Sequence, residues 1–327
     1  MSISKSAERE PLDYGCSDWR ASSQRSANAY RLGLKLWTKS DLHGIEQQLS
    51  DSTNREFFIV HSIHGDEVRI KNPTFGETCS IWRPFVKFQE YWRLVKAQPD
   101  GPPGTYHCSY LVDWTNQSAR DFRFTINEPF VVFEENRRSW LESRSYDVLK
   151  TWLAGFLSTK KATKVVCFGL GDICREPPEW FKRQEHQNDA ELSDTELMRN
   201  FVRPSMVQHL IALTIAEMCG EIGGNKVQLL TQDPDYSEQT KEVLAKSGFS
   251  IVGQFGAGGF AEIDDDTVVF SAFVEAPLKQ IIADIARPVL VITTDRDTFN
   301  DFEKPWADAE SPRTREMWQD YKVDKFQ

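Results

Sequence analysis

The sequence predicts an α/β protein: a Rossmann-like, doubly wound, mostly parallel sheet preceded by an N-terminal α+β extension. Three observations carry this. Residues 164–168, Lys-Val-Val-Cys-Phe, form a short continuous apolar run, the type of strand that is buried on both faces as in a parallel sheet. From there to Thr293, similar runs alternate with amphipathic segments, and that alternation is the mark of βαβ units. Before Ser145 the rhythm is different, with aromatic-rich pairs of short runs separated by turns.

The extension divides into two parts. Residues 1–28 are rich in Ser, Arg and Glu without periodicity and read as flexible. Residues 29–144 read as an aromatic-rich α+β region. Phe57–Val60, a turn at His64-Gly65-Asp66, and Val68 and Ile70 alternating with charges predict a hairpin. Trp82, Phe85, Phe88, Trp92 and Val95 stand near helical spacing and predict a helix over Ile81–Ala97. Pro102-Pro103-Gly104 ends it. Thr105–Trp114 and Phe122–Thr125 then suit a second hairpin. Seven of the ten tryptophans occur at or before Trp152. Filling a core is the first reading of such aromatics; a stacking platform for a ligand is the second.

Residues 145–295 supply the sheet. Ser145–Leu157 reads as a helix leading into the 164–168 strand. Pro204–Cys219 reads as a helix with proline at its first position and Val207, Leu210, Ile211, Thr214, Ile215 and Met218 on one face. Lys226–Leu230, Phe249–Val252, Thr267–Phe270 and Pro288–Thr293 follow as strands, with helices at Gln239–Lys246 and Pro277–Ile285. Residues 296–327 form an acidic C-terminal extension anchored by Trp306, Trp318 and Tyr321.

Charge excludes some functions. The 327 residues carry 39 Lys+Arg and 49 Asp+Glu, a net charge of −10. Residues 1–160 are balanced at 21 basic and 20 acidic, whereas residues 161–327 hold 18 and 29. An acidic sheet domain repels a polyanion, so no nucleic-acid partner is expected. The six cysteines form no CxxC pair or zinc-spaced cluster, so no metal site is expected. The polar N-terminus lacks the apolar core of a secretory signal, and no apolar run nears the length of a membrane span. The expected compartment is the cytoplasm or nucleus.

The candidate site gathers at the carboxyl ends of the strands. Gly169 and Gly171 follow the first strand directly, where glycines let backbone approach a phosphate or nucleoside. Cys174 stands where a dinucleotide fingerprint has its third glycine, and a long polar stretch precedes the next helix, so a nucleoside pocket is favoured over a dinucleotide one. Asp233, in Gln232-Asp233-Pro234, ends the next strand and can accept from ribose hydroxyls; an Asp-Pro turn capping its own backbone is the alternative. Asp172 and Ser271 sit at the same edge. Gly253, Gly256, Gly258 and Gly259 lack the Lys-Ser/Thr of a P-loop and read as a hairpin or mobile lid. His209 reads as a core or helix-surface residue, and Asp264–Asp266 as a solvated turn.

Val165–Gly171, the Arg203–Glu217 helix, Gln232-Asp233-Pro234 with Glu242, Leu244 and Gly248, and Pro277–Pro288 together resemble the Sensitivity-to-Red-light-Reduced-like (SRR-like) domain family, in the version found in fungal proteins. The resemblance spans roughly residues 160–293. It implies a Rossmann-like domain tied to regulation, of light and clock signalling in plants and of haem synthesis in animals, and it brings no established reaction. Gly169, Gly171 and Asp233-Pro234 match the family pattern. Phe270-Ser271-Ala272-Phe273 departs from the Pro-His-Cys of many members. The expectation is therefore a regulatory protein binding a small-molecule ligand or a protein partner. The alternative is a nucleoside-cofactor enzyme of methyltransferase type, holding S-adenosylmethionine or another nucleoside.

Overall fold

The computed structural model describes residues 18–78, 80–118, 124–158, 160–294 and 308–324. Five parallel strands form the central sheet: β5 (Lys164–Phe168), β6 (Gln228–Gln232), β7 (Ser250–Ile251), β8 (Thr267–Ser271) and β9 (Leu290–Ile292). Their order across the sheet is β7-β6-β5-β8-β9, so the chain leaves β5 toward one edge and returns to its other side at β8. This reversal is the switch point of a Rossmann-like sheet, where ligands characteristically bind beyond the carboxyl ends. The Rossmann-like expectation is met.

The two faces of the sheet separate by strand periodicity. Val165 and Cys167 of β5, Leu229 of β6 and Val268 and Phe270 of β8 enter one apolar cluster. Helices α4 (Pro129–Leu141), α5 (Arg144–Leu157), α7 (Asp194–Gly223) and α8 (Glu238–Lys246) complete that cluster with Phe133, Leu153, Leu210 and Leu244. Val166 and Phe168, Leu230 and Val269 enter the second cluster, on the opposite face. There the crossover from β7 to β8 contains only a four-residue helix, α9 (Gly258–Ala261). The N-terminal region supplies what this short crossover leaves uncovered. Helices α1 (Asp18–Arg31) and α2 (Lys39–Ser50) and the hairpins contribute Trp37, Leu42, Phe58, Val86 and Tyr110 to the same cluster as the sheet. Each such side chain, fully buried, contributes about 1.5–3 kcal/mol.

Several elements differ from their sequence reading. Helix α1 covers Asp18–Arg31 and so overlaps the segment expected to be flexible, whose residues 1–17 lie outside the described residues. The hairpin β1 (Phe57–His61) with β2 (Glu67–Lys71) forms as expected. The helix expected over Ile81–Ala97 is instead a strand, β3 (Trp82–Phe88), followed by the one-turn helix α3 (Tyr91–Val95). β3 pairs antiparallel with β4 (Tyr110–Asn116). Pro84 is tolerated because residues of its parity point their nitrogens away from β4, as the Val86 amide does in donating to the Phe255 carbonyl at 2.8 Å. The segment expected to pair after β4 lies partly outside the described residues, and Thr125 bridges Arg175 instead.

Helix α7 begins at Asp194, ahead of Pro204, because Ser193 and Glu196 form a capping box that starts it within the polar stretch. Pro204 therefore lies inside the helix. The same polar stretch also contains α6 (Glu179–Asn188). Helix α10 (Leu278–Ile285) forms where the sequence places one, and near the C-terminus α11 (Pro312–Met317) buries Met317 beside it in the second cluster. Arg313 donates to Asp284 and to the carbonyls of Tyr30 and Leu34, and its guanidinium stacks 3.8 Å over the Tyr30 ring. Trp306 lies outside the described residues. No helix among the described residues is long and apolar enough to cross a membrane.

Candidate functional site

A cleft of about 850 Å3 separates the carboxyl edge of the sheet from the β3–β4 hairpin. One bank is the sheet edge: the Gly169–Gly171 loop after β5, Gln232–Asp235 after β6, and Phe273–Pro277 after β8, with Ser205 and Gln208 of α7. The other bank is the hairpin. Along β3, Pro84 and Val86 are buried, while Arg83, Phe85 and Lys87 are half-buried and line the cleft. Asp113 and Thr115 stand opposite Phe85 and Arg83 in the register and complete this bank.

The sheet bank is largely occupied by its own contacts. Gly169 takes φ 63°, and a Cβ there would lie 2.0 Å from the Phe273 carbonyl oxygen; its amide donates to the Gln232 carbonyl at 3.1 Å. Gly171 takes φ 80°, and a Cβ would lie 2.5 Å from Ser205 Oγ. Its amide donates to Asp233 Oδ2 at 2.9 Å, and the Asp235 amide donates to Oδ1 at 3.0 Å. The absent side chains of these glycines make room for the protein's own atoms, and both amides already have acceptors.

Of the five residues singled out in the sequence, Gly169, Gly171 and Asp233 line the cleft, and Asp172 and Ser271 do not. Asp172 caps local backbone: its Oδ1 accepts from Cys174 and Arg175 amides at 2.8 Å, and its Oδ2 accepts from the Ser237 amide. Burial opposes its charge, but the Ser237 amide and hydroxyl together with the Cys174 and Arg175 amides hold its carboxyl below the usual value. Ser271 is buried and donates from Oγ to the Phe168 carbonyl at 3.1 Å, locking β8 to β5. Asp233 differs from both. Protein surrounds its carboxyl at the cleft wall, and this burial pushes its pKa up to about 6 against the lowering effect of the Asp235 and Gly171 amides.

The glycine-rich segment expected as a hairpin or lid is a pinned loop. Glu46 of α2 accepts from the amides of Phe255, Ala257 and Gly258 at 2.8–3.0 Å. Gln232 accepts from the Gly259 amide at 2.7 Å and donates to the Gly256 carbonyl at 3.0 Å. Asp264 pairs with Lys164 at 3.1 Å and with Lys39, so the acidic turn is tied down by cations. His209 is a core residue: Nδ1 meets the Ser205 carbonyl at 2.7 Å and Nε2 the Tyr236 hydroxyl at 2.8 Å. Burial lowers its pKa to about 4, so it is neutral.

On the hairpin bank, Lys87 lies 3.2 Å from Asp100 and 3.3 Å from Asp113. Burial opposes its charge, but the two carboxylates raise its pKa above the usual value. Arg83 donates from Nη2 to the Gln254 carbonyl at 2.9 Å and stacks over Phe255. The helical reading of residues 81–97 hid this bank. The signal that reveals it is the alternation of Arg83, Phe85 and Lys87 with Pro84 and Val86. Among the described residues, no His or Cys lines the cleft and no group of three or more His, Cys, Asp or Glu is placed to hold a metal ion.

Sheet order and cleft define a Rossmann-like α/β protein whose carboxyl edge is roofed by an added hairpin. The SRR1 domain family matches residues 141–325, more than half of the chain, and the protein belongs to that family. The match runs beyond both ends of the 160–293 resemblance and leaves the hairpin bank outside it. No curated protein and no solved structure matches the chain.

Proposed function

We propose that this protein is a regulatory SRR1 domain protein that binds a small organic molecule in the cleft between the hairpin and the sheet edge. The cleft itself carries the reading: its volume, about 850 Å3, falls in the range of roughly 300–1,000 Å3 common for ligand sites, and it lies at the switch point of the sheet. Phe85 and Phe273 offer apolar surface, and Asp233, Lys87 and Asp113 offer polar contacts. The hairpin bank lies outside the family match, so ligand choice belongs to this chain's own extension. The S-adenosylmethionine enzyme alternative gains no support from the glycine loop, whose amides at 169 and 171 are engaged internally.

Thermal-shift measurement on the full chain with S-adenosylmethionine, S-adenosylhomocysteine, NAD, haem and a small-molecule library tests this. A ligand at 100 times its dissociation constant adds about 2.7 kcal/mol of stability. The expected result is at least one ligand that raises Tm and fails to do so in Phe85→Ala. Absence of any shift across the panel and library would remove the ligand-binding reading.

A further inference from the structure

We infer that the ligand of the cleft is an organic cation, an amine or quaternary ammonium group on an apolar body; this rests on the ligand-binding reading above. The sign follows from the charge of the walls, and the apolar body from an aromatic ring that no cation of the protein covers.

Six carboxylates line the cleft, on Glu90, Asp100, Asp113, Asp233, Asp235 and Glu275, against three cations, on Arg83, Lys87 and Arg93. Asp235 and Arg83 have further partners of their own, and without them the excess of carboxylates is the same three. Lys87 neutralises one charge of Asp100 and Asp113, which it meets at 3.2 and 3.3 Å. Glu90 accepts from the Trp92 and Arg93 amides at 2.8 Å and from Gln280 Nε2 at 3.2 Å. Asp233 accepts from the Gly171 and Asp235 amides. Neither Glu90 nor Asp233 is ion-paired among the described residues, so these amides hold the carboxylates in place and leave their charge on the wall. A cleft lined by one sign of charge concentrates the opposite sign within it.

Glu275 is the carboxylate open to a ligand. It follows β8, is exposed, and among the described residues accepts from no donor and pairs with no cation. Glu90 and Asp233 already hold two or more donors each. On the hairpin bank, Phe85 is half-buried and lines the cleft. Arg83 beside it stacks on Phe255 instead, and no Lys or Arg among the described residues lies over the Phe85 ring. An aromatic face within a negatively charged cleft binds an organic cation through the ring quadrupole and the field of the carboxylates together. An anion of the same shape would have the ring but would be repelled by the walls.

Calorimetric titration of the full chain with three probes of one body and different charge tests this: phenethylammonium, phenethyl alcohol and hydrocinnamate. The expected result is that the cation binds about tenfold more tightly than hydrocinnamate, with the alcohol between them. Glu275→Gln should weaken the cation and leave the alcohol unchanged, whereas Phe85→Ala should weaken both. Rising ionic strength should weaken the cation alone. Glu275 is exposed, so the unliganded Tm should be unchanged in Glu275→Gln, and Glu275→Lys should narrow the gap between cation and anion further. Alcohol or hydrocinnamate binding as tightly as the cation, or cation affinity unchanged in both Glu275 variants, overturns the inference. If the probes still lose affinity in Phe85→Ala, the cleft stands as a ligand site without the charge assignment. Binding by none of the three also overturns the inference, and the thermal-shift library then decides whether the cleft binds any other molecule.

Discussion

The two banks of the cleft are built differently. On the sheet bank, Gly169 and Gly171 are packed against the protein's own backbone and side chains, and Asp233 accepts from two amides. On the hairpin bank, Arg83, Phe85 and Lys87 project from a strand whose opposite face is buried. Polar groups are paired on both banks, on the second Lys87 with Asp100 and Asp113 and Arg83 with the Gln254 carbonyl. What differs is that the first bank is backbone packed against the protein's own atoms, whereas the second presents side chains whose loss would leave the core intact. The family match covers the sheet edge and omits the hairpin, and the proposed ligand site draws on both. A glycine loop at the end of a first strand is not by itself evidence of a bound phosphate.

Four substitutions separate the banks, and the largest effect is expected where they are joined. Phe260 is fully buried, stacks on Phe168 of β5 at 4.5 Å and meets Phe88 of β3 edge-on at 5.4 Å. Phe260→Ala should cost about 4 kcal/mol in denaturant unfolding, and a loss under about 1 kcal/mol would show that the ring does not tie hairpin to sheet. Gly169→Ala should cost about 3 kcal/mol, since it adds a Cβ at positive φ into the Phe273 carbonyl; a neutral result would mean that this bank has slack for a ligand.

Asp233 tests the same bank through pH. Its folded pKa of about 6 lies above the ordinary 3.8, so between pH 4 and 6 the native protein keeps a proton that the unfolded chain has released. Stability should fall as pH rises through this window, by on the order of 2 kcal/mol allowing for exposure to the cleft. Above pH 6 the loss is complete. In Asp233→Asn this contribution should vanish, and parallel stability–pH curves for the two proteins would contradict the assignment. The smallest effect is expected on the hairpin bank: Phe85→Ala should cost no more than about 1 kcal/mol of unliganded stability, because the side chain is half-buried and lies outside the apolar clusters.

The sheet was readable because its central strands are continuous apolar runs buried on both faces; Lys164–Phe168 has the same bounds in sequence and structure. Helix α7 was only half readable, since its start is set by the Ser193–Glu196 box inside a polar segment that carries no apolar period. Residues 81–97 misled because Trp82, Phe85, Phe88 and Trp92 fit a helical face as well as Arg83, Phe85 and Lys87 fit a strand. Pairing with β4 and the Phe255 carbonyl decide between them, and both are tertiary contacts. The glycine-rich loop is pinned by Glu46, far away in the chain, which no local pattern reports. For Asp172 and Asp233 the sequence placed both carboxylates at the correct sheet edge. It could not reveal that both carboxylates accept from backbone amides, and that of the two only Asp233 also stays on the cleft wall.

The most direct measurement compares wild type, Phe85→Ala and Asp233→Asn for the Tm shift produced by the ligand that stabilises the wild type most strongly. If recognition lies with the hairpin, Phe85→Ala loses the shift while keeping its unliganded Tm, and Asp233→Asn retains most of it. A shift retained in Phe85→Ala and abolished in Asp233→Asn would contradict the account and return recognition to the sheet edge.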